Sequence, residues 1–137
     1  MKHKERVAGF GLMELLIALA IVAILATLAL PSYRTQMQQG RRLDAISSLL
    51  SIRVAQEKWR ASHTSYASLD DLGWSSGTSL EGHYQLRLSE HSASGFMLIA
   101  QPVTGGPQQD DRCGSFALDQ RGPVMTGTYA GADCWRR

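Results

Sequence analysis

The hydrophobic pattern of the chain changes period as it proceeds. Residues 10–30 form an apolar run of 21 residues with a single charge, Glu14. At about 1.5 Å per residue, a helix of that length reaches across the roughly 30 Å hydrocarbon core of a bilayer, so the run predicts a transmembrane helix. It is too long for the apolar region of a secretory signal, and its one small-x-small match, Ala18-Leu19-Ala20, lies inside the run rather than behind it. No cysteine stands near it, which sets aside a lipoprotein. Pro31 closes the run. Proline removes a helical hydrogen bond and crowds the preceding turn, so a bend near residues 27–31 is expected in a helix that otherwise continues.

Between residues 41 and 60 the pattern becomes amphipathic. Leu43, Ile46, Leu50 and Val54 recur at spacings of three and four, while Arg41, Arg42, Asp44, Arg53 and Glu57 fall mostly off that stripe. The stripe is expected to pack on the chain's own sheet, a groove for a separate partner being the alternative. Gly40 weakens the helix by about 1 kcal/mol relative to alanine and allows a second curve. Residues 61–82 turn to Ser, Thr, Gly and Asp and predict an irregular loop with one short turn, with Tyr66, Leu69, Leu72 and Trp74 anchoring it. Strand alternation follows. Tyr84, Leu86 and Leu88 point one way with Gln85, Arg87 and Ser89 opposite, and residues 96–100 form a second run after Ser92-Ala93-Ser94-Gly95. Residues 102–111 read as loop and 114–118 as a third strand, then Asp119-Gln120-Arg121-Gly122 turns into a fourth strand at 124–126. The fold class is α+β, a long N-terminal helix packed on a C-terminal antiparallel sheet of about four strands.

The front edge of the apolar run carries a further signal. Gly9-Phe10 with Glu14, the apolar helix, and then Pro31-Ser32-Tyr33 resemble the class III signal of type IV pilins and secretion pseudopilins. Later in the chain, Asp70-Asp71-Leu72-Gly73-Trp74, Ala100-Gln101-Pro102, Asp111-Arg112-Cys113-Gly114, Leu118-Asp119, Gly122 and Asp133-Cys134-Trp135 are similar to PilE-like minor pilins. Gly11 stands where threonine is common in that family, and Ala23 where many members have glycine. The resemblance implies a type IV pilin fold and cleavage by a prepilin peptidase between Gly9 and Phe10, with Phe10 then methylated. It also implies that Glu14 is an assembly contact. The expected organisation is a cleaved leader (1–9), a transmembrane or filament-core helix (10–30), an amphipathic helix (31–60), a helix-to-sheet loop (61–82) and a sheet region (83–137). The implied function is that of a minor pilin, a structural subunit priming or joining a pilus that serves twitching motility, adhesion or DNA uptake. Its partners would be the major pilin, other minor pilins, the inner-membrane assembly platform and, before assembly, membrane lipid. The implied location is the inner membrane with an exported C-terminal domain, then the pilus. A type II secretion pseudopilin is the rival within the same architecture; many major pseudopilins lack a disulfide and place a calcium site in the C-terminal loop.

Charge and cysteine usage refine this picture. The formal net charge of +2 resides in the leader, where Lys2, Lys4 and Arg6 oppose Glu5; its removal leaves 11 basic and 11 acidic side chains. Lys and Arg flank both ends of the apolar run, so the positive-inside rule orients it only weakly. Residues 31–60 are basic and 61–111 acidic, consistent with solvated faces and with Arg34, Arg41 and Arg42 meeting anionic headgroups. A sharper alternative sets the basic stalk of one subunit against the acidic loops of the next. Cys113 and Cys134 both lie in the part expected to be exported, where a pair bridges; the chain-entropy model assigns such a loop about 3 kcal/mol.

Catalytic motifs are not evident. His3 leaves with the leader; His63, His83 and His91 lack ligand spacing, and no metal or cofactor is expected. The acidic pairs Asp70-Asp71 and Asp110-Asp111 read as solvated surface, and no nucleophile motif accompanies them. A non-enzymatic chain is expected. The rival of another class is a DNA receptor, with Arg121, Arg136 and Arg137 for phosphate and Trp135 for bases, against a plain solvated chain end.

Overall fold

The computed structural model describes residues 11–136. The chain divides into two compact units, with the boundary after Gln36. One helix, α1 (Leu12–Arg60), contributes to both and runs through Pro31. It opens on Gly11, whose carbonyl accepts from the amides of Glu14 (3.1 Å) and Leu15 (3.2 Å). Around the proline, Thr27 Oγ1 donates to the Ile24 carbonyl (2.7 Å) and Thr35 Oγ1 to the Pro31 carbonyl (3.1 Å). Every described side chain up to Gln36 is exposed within its unit, and this is the one helix among the described residues long and apolar enough to cross a membrane.

The second unit holds the rest of α1 and an antiparallel meander of β1 (Tyr84–His91), β2 (Phe96–Pro102), β3 (Phe116–Asp119) and β4 (Pro123–Val124), in the spatial order β1-β2-β3-β4. A short α2 (Ala132–Trp135), which the alternation does not suggest, follows. The register pairs Leu86 with Ala100, Leu98 with Leu118, and Ala100 with Phe116, so one face of the sheet presents a continuous apolar surface. A bulge between Leu88 and Glu90 ends the regular alternation of β1. At the next turn a Cβ on Gly95 would sit 2.8 Å from the Gln120 side-chain amide, so a larger residue there would displace that side chain.

The helix buries a different face from the one expected. Ala45, Leu49, Ile52 and Gln56 are fully buried, whereas Leu43, Leu50 and Val54 stay 45 %, 42 % and 54 % exposed. At about 100° per residue, those three lie on the far side from the buried four. The reason is polar satisfaction. Gln56 occupies the core because its amide both donates to the Ala67 carbonyl (2.8 Å) and accepts from the Ala67 amide (2.9 Å). Asp44 accepts from Ser79 Oγ and from the amides of Glu81 (2.9 Å) and His83 (3.2 Å), and Ser48 Oγ accepts from the Leu80 amide (3.0 Å). The loop before β1 is thereby clamped to α1, while Tyr66, Leu69, Leu72 and Trp74 pack against the core. Ser68 and Asp71 cap the intervening turn reciprocally, and the bonds from Ser68 hold the Asp71 carboxyl below its ordinary range.

A buried ion pair corrects two further expectations. Arg42 neither faces lipid headgroups nor stands in solvent, and Asp111 is not a surface acid. The Arg42 guanidinium donates to both Asp111 oxygens, Nε to Oδ2 at 2.7 Å and Nη2 to Oδ1 at 2.6 Å, with both side chains buried. Those hydrogen bonds raise the Arg42 pKa above its ordinary value. Gln108 Nε2 donates to Asp111 Oδ2 (3.2 Å), Tyr84 OH (2.9 Å) and the Gln38 carbonyl (3.2 Å). Burial pushes the Tyr84 phenol up to about 12. Cys113 is bonded to Cys134, with their Cα atoms 5.8 Å apart, and this ties α2 to the segment that carries Asp111.

Breaking one side of the buried pair is expected to cost about 3–5 kcal/mol, since the remaining charge is left in the interior. In denaturant titrations of the full chain in detergent, Asp111→Ala should show this loss. The double change Arg42→Met with Asp111→Leu should recover most of it. Equal losses in both would mean that the pair is not what the interior depends on. For the disulfide, Cys113→Ser is expected to destabilise the second unit by about 2–4 kcal/mol while membrane insertion persists. Thiol labelling of unreduced, denatured wild type should find no free thiol; two reactive thiols per chain would contradict the bridge.

Candidate functional site

Each residue singled out in the sequence has a definite place. Gly9 and Phe10 lie outside the described residues. Glu14 stands exposed in the first turn of α1, where a carboxylate complements the positive end of the helix dipole. It remains the one charge in a long apolar surface. Pro31 sits inside α1.

The residues considered for DNA are not brought together. Arg121 is exposed in the β3–β4 turn, its amide donating to Asp119 Oδ1 (2.7 Å). Trp135 is half-buried; its Nε1–H donates to the Ala130 carbonyl (3.2 Å), and its ring meets Phe116 edge-on at 5.4 Å. Phe116 and Asp119 are opposite ends of β3, so Arg121 and Trp135 are served by ends of that strand about 10 Å apart. Arg136 is exposed and lies 3.9 Å from Asp133, a weak surface pair. Arg137 is outside the described residues. The indole is thus occupied in covering the core rather than offered to a base.

Several of the remaining polar residues have structural partners. His63 stacks on Trp59 with centroids 3.8 Å apart, and its Nδ1 lies 2.9 Å from the Trp59 carbonyl. His83 Nε2 is 3.6 Å from Glu81. Among the described residues no group of three or more His, Cys, Asp or Glu could hold a metal ion. Asp71 caps a turn while remaining exposed, as Asp70 and Asp110 are, and of the two acidic pairs only Asp111, which neutralises Arg42, is buried. Arg53 donates to the Gln120 carbonyl (3.3 Å), and Arg60 to the carbonyls of His63 (2.6 Å) and Ala93 (3.3 Å).

Sequence reasoning missed the polar residues that clamp the helix to its loops, Arg42, Asp44, Ser48 and Gln56. One signal was available. These four share the helical side of Ala45, Leu49 and Ile52, and that side is as periodic as the aliphatic stripe once small and polar residues are admitted to the pattern.

Two family models match the chain. Residues 5–30 match the prokaryotic N-terminal methylation motif, and residues 31–117 match a family described as type IV minor pilin ComP, DNA uptake sequence receptor. No curated protein matches. The methylation motif implies processing by a prepilin peptidase and assembly with other pilins. The second match spans more than half of the chain and begins where the first ends, taking in the rest of α1, β1, β2 and the start of β3. The chain therefore belongs to the type IV minor pilin ComP family, as a pilus subunit made as an inner-membrane precursor and assembled into a surface pilus.

Proposed function

We propose that this subunit works mechanically rather than catalytically, and that Glu14 governs its entry into the filament. Prepilin peptidase cuts between Gly9 and Phe10 and methylates Phe10. The apolar part of α1 then leaves the bilayer for the filament core, with the assembly platform supplying the extraction and Pro31 the place where the helix bends. The observation that carries this reading is the solitary exposed carboxylate of Glu14 on a helix surface otherwise apolar. In a low-dielectric surrounding such a charge is costly until a cation neutralises it, and cleavage creates one at the new amino terminus. Pairing with the amino terminus of the next subunit would select one axial register; pairing within the chain would not. The major pilin and other minor pilins are the partners proposed, and the match to a minor pilin model supports this over the pseudopilin alternative.

Processing and assembly are separable by mutation. Gly9→Ser, which adds bulk before the scissile bond, is expected to abolish cleavage. Glu14→Ala is expected to be cleaved normally yet to be depleted in sheared pili, as read by immunoblot against the major subunit. Entry of Glu14→Ala at the wild-type ratio would remove Glu14 as an assembly contact.

A second reading is favoured by one observation, the description of the matched family as a DNA uptake sequence receptor. On this reading the exposed guanidinium groups of Arg121 and Arg136, with Arg137, contact phosphates, and Trp135 serves to position the chain end rather than to stack on bases. Binding of duplex DNA by the purified chain should then weaken as salt rises, and each arginine replaced by alanine should reduce the log–log salt slope by about 0.9. Absence of binding at low salt would remove the receptor reading.

A further inference from the structure

The bulge in β1 decides which face of the sheet carries Glu90. Up to Leu88, paired with Leu98, the register of β1 on β2 is regular; continued, it would set Glu90 opposite Phe96, on the face where Phe96 is buried. The extra residue, Ser89, instead sets Glu90 opposite Met97, and Met97 is paired in turn with Asp119. Glu90, Met97 and Asp119 thus form one cross-strand row, with the two acids on strands about 10 Å apart and the thioether residue between them. Together with the β1–β2 and β3–β4 turns this row borders an open pocket of about 320 Å³, to which Ser92, Ser94, Gln120 and Arg121 contribute.

Both turns are fixed from outside the pocket. The Ser92 amide donates to the Gly95 carbonyl (2.9 Å), the Tyr66 amide to the Ser92 carbonyl (3.1 Å) and Arg60 to the Ala93 carbonyl (3.3 Å). Asp119 Oδ1 accepts from the amides of Arg121 (2.7 Å) and Gly122 (3.0 Å), while Arg53 holds the Gln120 carbonyl. The Gln120 side chain bridges the two turns. Its Oε1 accepts from the Phe96 amide (3.4 Å), which leaves Nε2 as a donor. Among the described residues the Glu90 carboxylate, Asp119 Oδ2, Gln120 Nε2 and the Arg121 guanidinium have no hydrogen-bond partner, and all four residues line this pocket.

We infer that this pocket binds a neutral saccharide. The inference goes beyond the subunit and DNA readings and depends on neither. Sugar hydroxyls donate and accept at once, so a single ring satisfies the carboxylate oxygens, which only accept, and the Gln120 amide and Arg121 guanidinium, which only donate. A ligand of donors alone, or of acceptors alone, leaves half of that set unpaired. Charge narrows the choice in the same direction. Glu90 and Asp119 outnumber Arg121, so a phosphate enters against a net negative charge, and a polyamine meets the guanidinium. The two acids have no third ligand that would make a metal site among the described residues. Met97 supplies an apolar contact for the C–H face of the ring, and the volume lies at the lower end of the range for small-molecule sites. Because the turns are already held, binding orders little more of the chain.

The test is saturation-transfer NMR on the full chain, held in a detergent without a sugar headgroup. The probes are the methyl glycosides of glucose, galactose, mannose and N-acetylglucosamine, with spermidine and inorganic phosphate as charged comparisons. The expected result is saturable binding of at least one methyl glycoside, weakened about ten-fold in Glu90→Ala and in Gln120→Ala by loss of a hydrogen bond, and abolished in Met97→Trp, which fills the pocket. Gln85→Ala, at an exposed position near the other end of β1, should bind as the wild type does. The Cys113–Cys134 bridge on a non-reducing gel and the denaturant midpoint show that each variant is folded. If Met97→Trp lowers the midpoint, Glu90→Ala, at an exposed residue, decides the matter. Binding of no methyl glycoside, binding of spermidine or phosphate alone, or glycoside binding indifferent to Glu90→Ala would overturn the proposal. The receptor reading separates at the same residue. Glu90→Ala removes a negative charge from the pocket shared with Arg121, so DNA binding should hold or strengthen while glycoside binding falls.

Discussion

The second unit is arranged around a charge that has to be neutralised out of water. Arg42 projects from the buried side of α1, and an unpaired guanidinium there would cost several kcal/mol. Asp111 answers it with both carboxylate oxygens, and Gln108 links the carboxylate to the Tyr84 hydroxyl and to the Gln38 carbonyl. The rest follows along the chain. Asp111 stands two residues before Cys113, whose amide points back at Asp111 Oδ1 (3.4 Å). Cys113 holds Cys134, and the next residue, Trp135, closes over Phe116. The ion pair, the disulfide, α2 and the aromatic edge over the sheet are thus linked along one path. A buried polar network of this kind, in which only the Gln108 Oε1 lacks a partner among the described residues, narrows the ways an interior can pack.

The same helix shows an inversion of the usual distribution of polarity. Its side toward the sheet carries Arg42, Asp44, Ser48 and Gln56 among small and aliphatic residues, while its outward side carries Leu43, Leu50 and Val54. In a protein whose work is done as a monomer, an outward aliphatic stripe beside an exposed leucine would be an aggregation hazard. A subunit that assembles with other pilins does so by heterologous packing, which repeats without closing and so generates a filament. The polar side chains on the buried side of α1 are engaged in holding loops to the helix.

What the sequence determined by itself is what neighbouring residues decide among themselves. Apolar length and the isolated charge at Glu14 mark the membrane helix and, with Gly9-Phe10, the methylation motif. Alternation in β1 and β2 marks strands, the Ser-rich and Asp-Gln-Arg-Gly turns mark hairpins, and two cysteines in an exported region mark a bridge. All are short-range properties. Which side of α1 meets the sheet was decided by tertiary structure, because hydrophobicity ranked Leu43, Leu50 and Val54 above Ser48 and Gln56. Hydrogen bonds with loops as far away as Leu80 and Ala67 reverse that ranking. The pairing of Arg42 with Asp111 joins residues 69 apart, and no periodicity carries information over that distance. Trp135 and Arg121 look equivalent in sequence, yet one is drawn into the core and the other left on a turn. The physical reason is common to all three: burying a polar or charged group is favourable only when its partner is already in place, and the partner's place exists only in the folded chain.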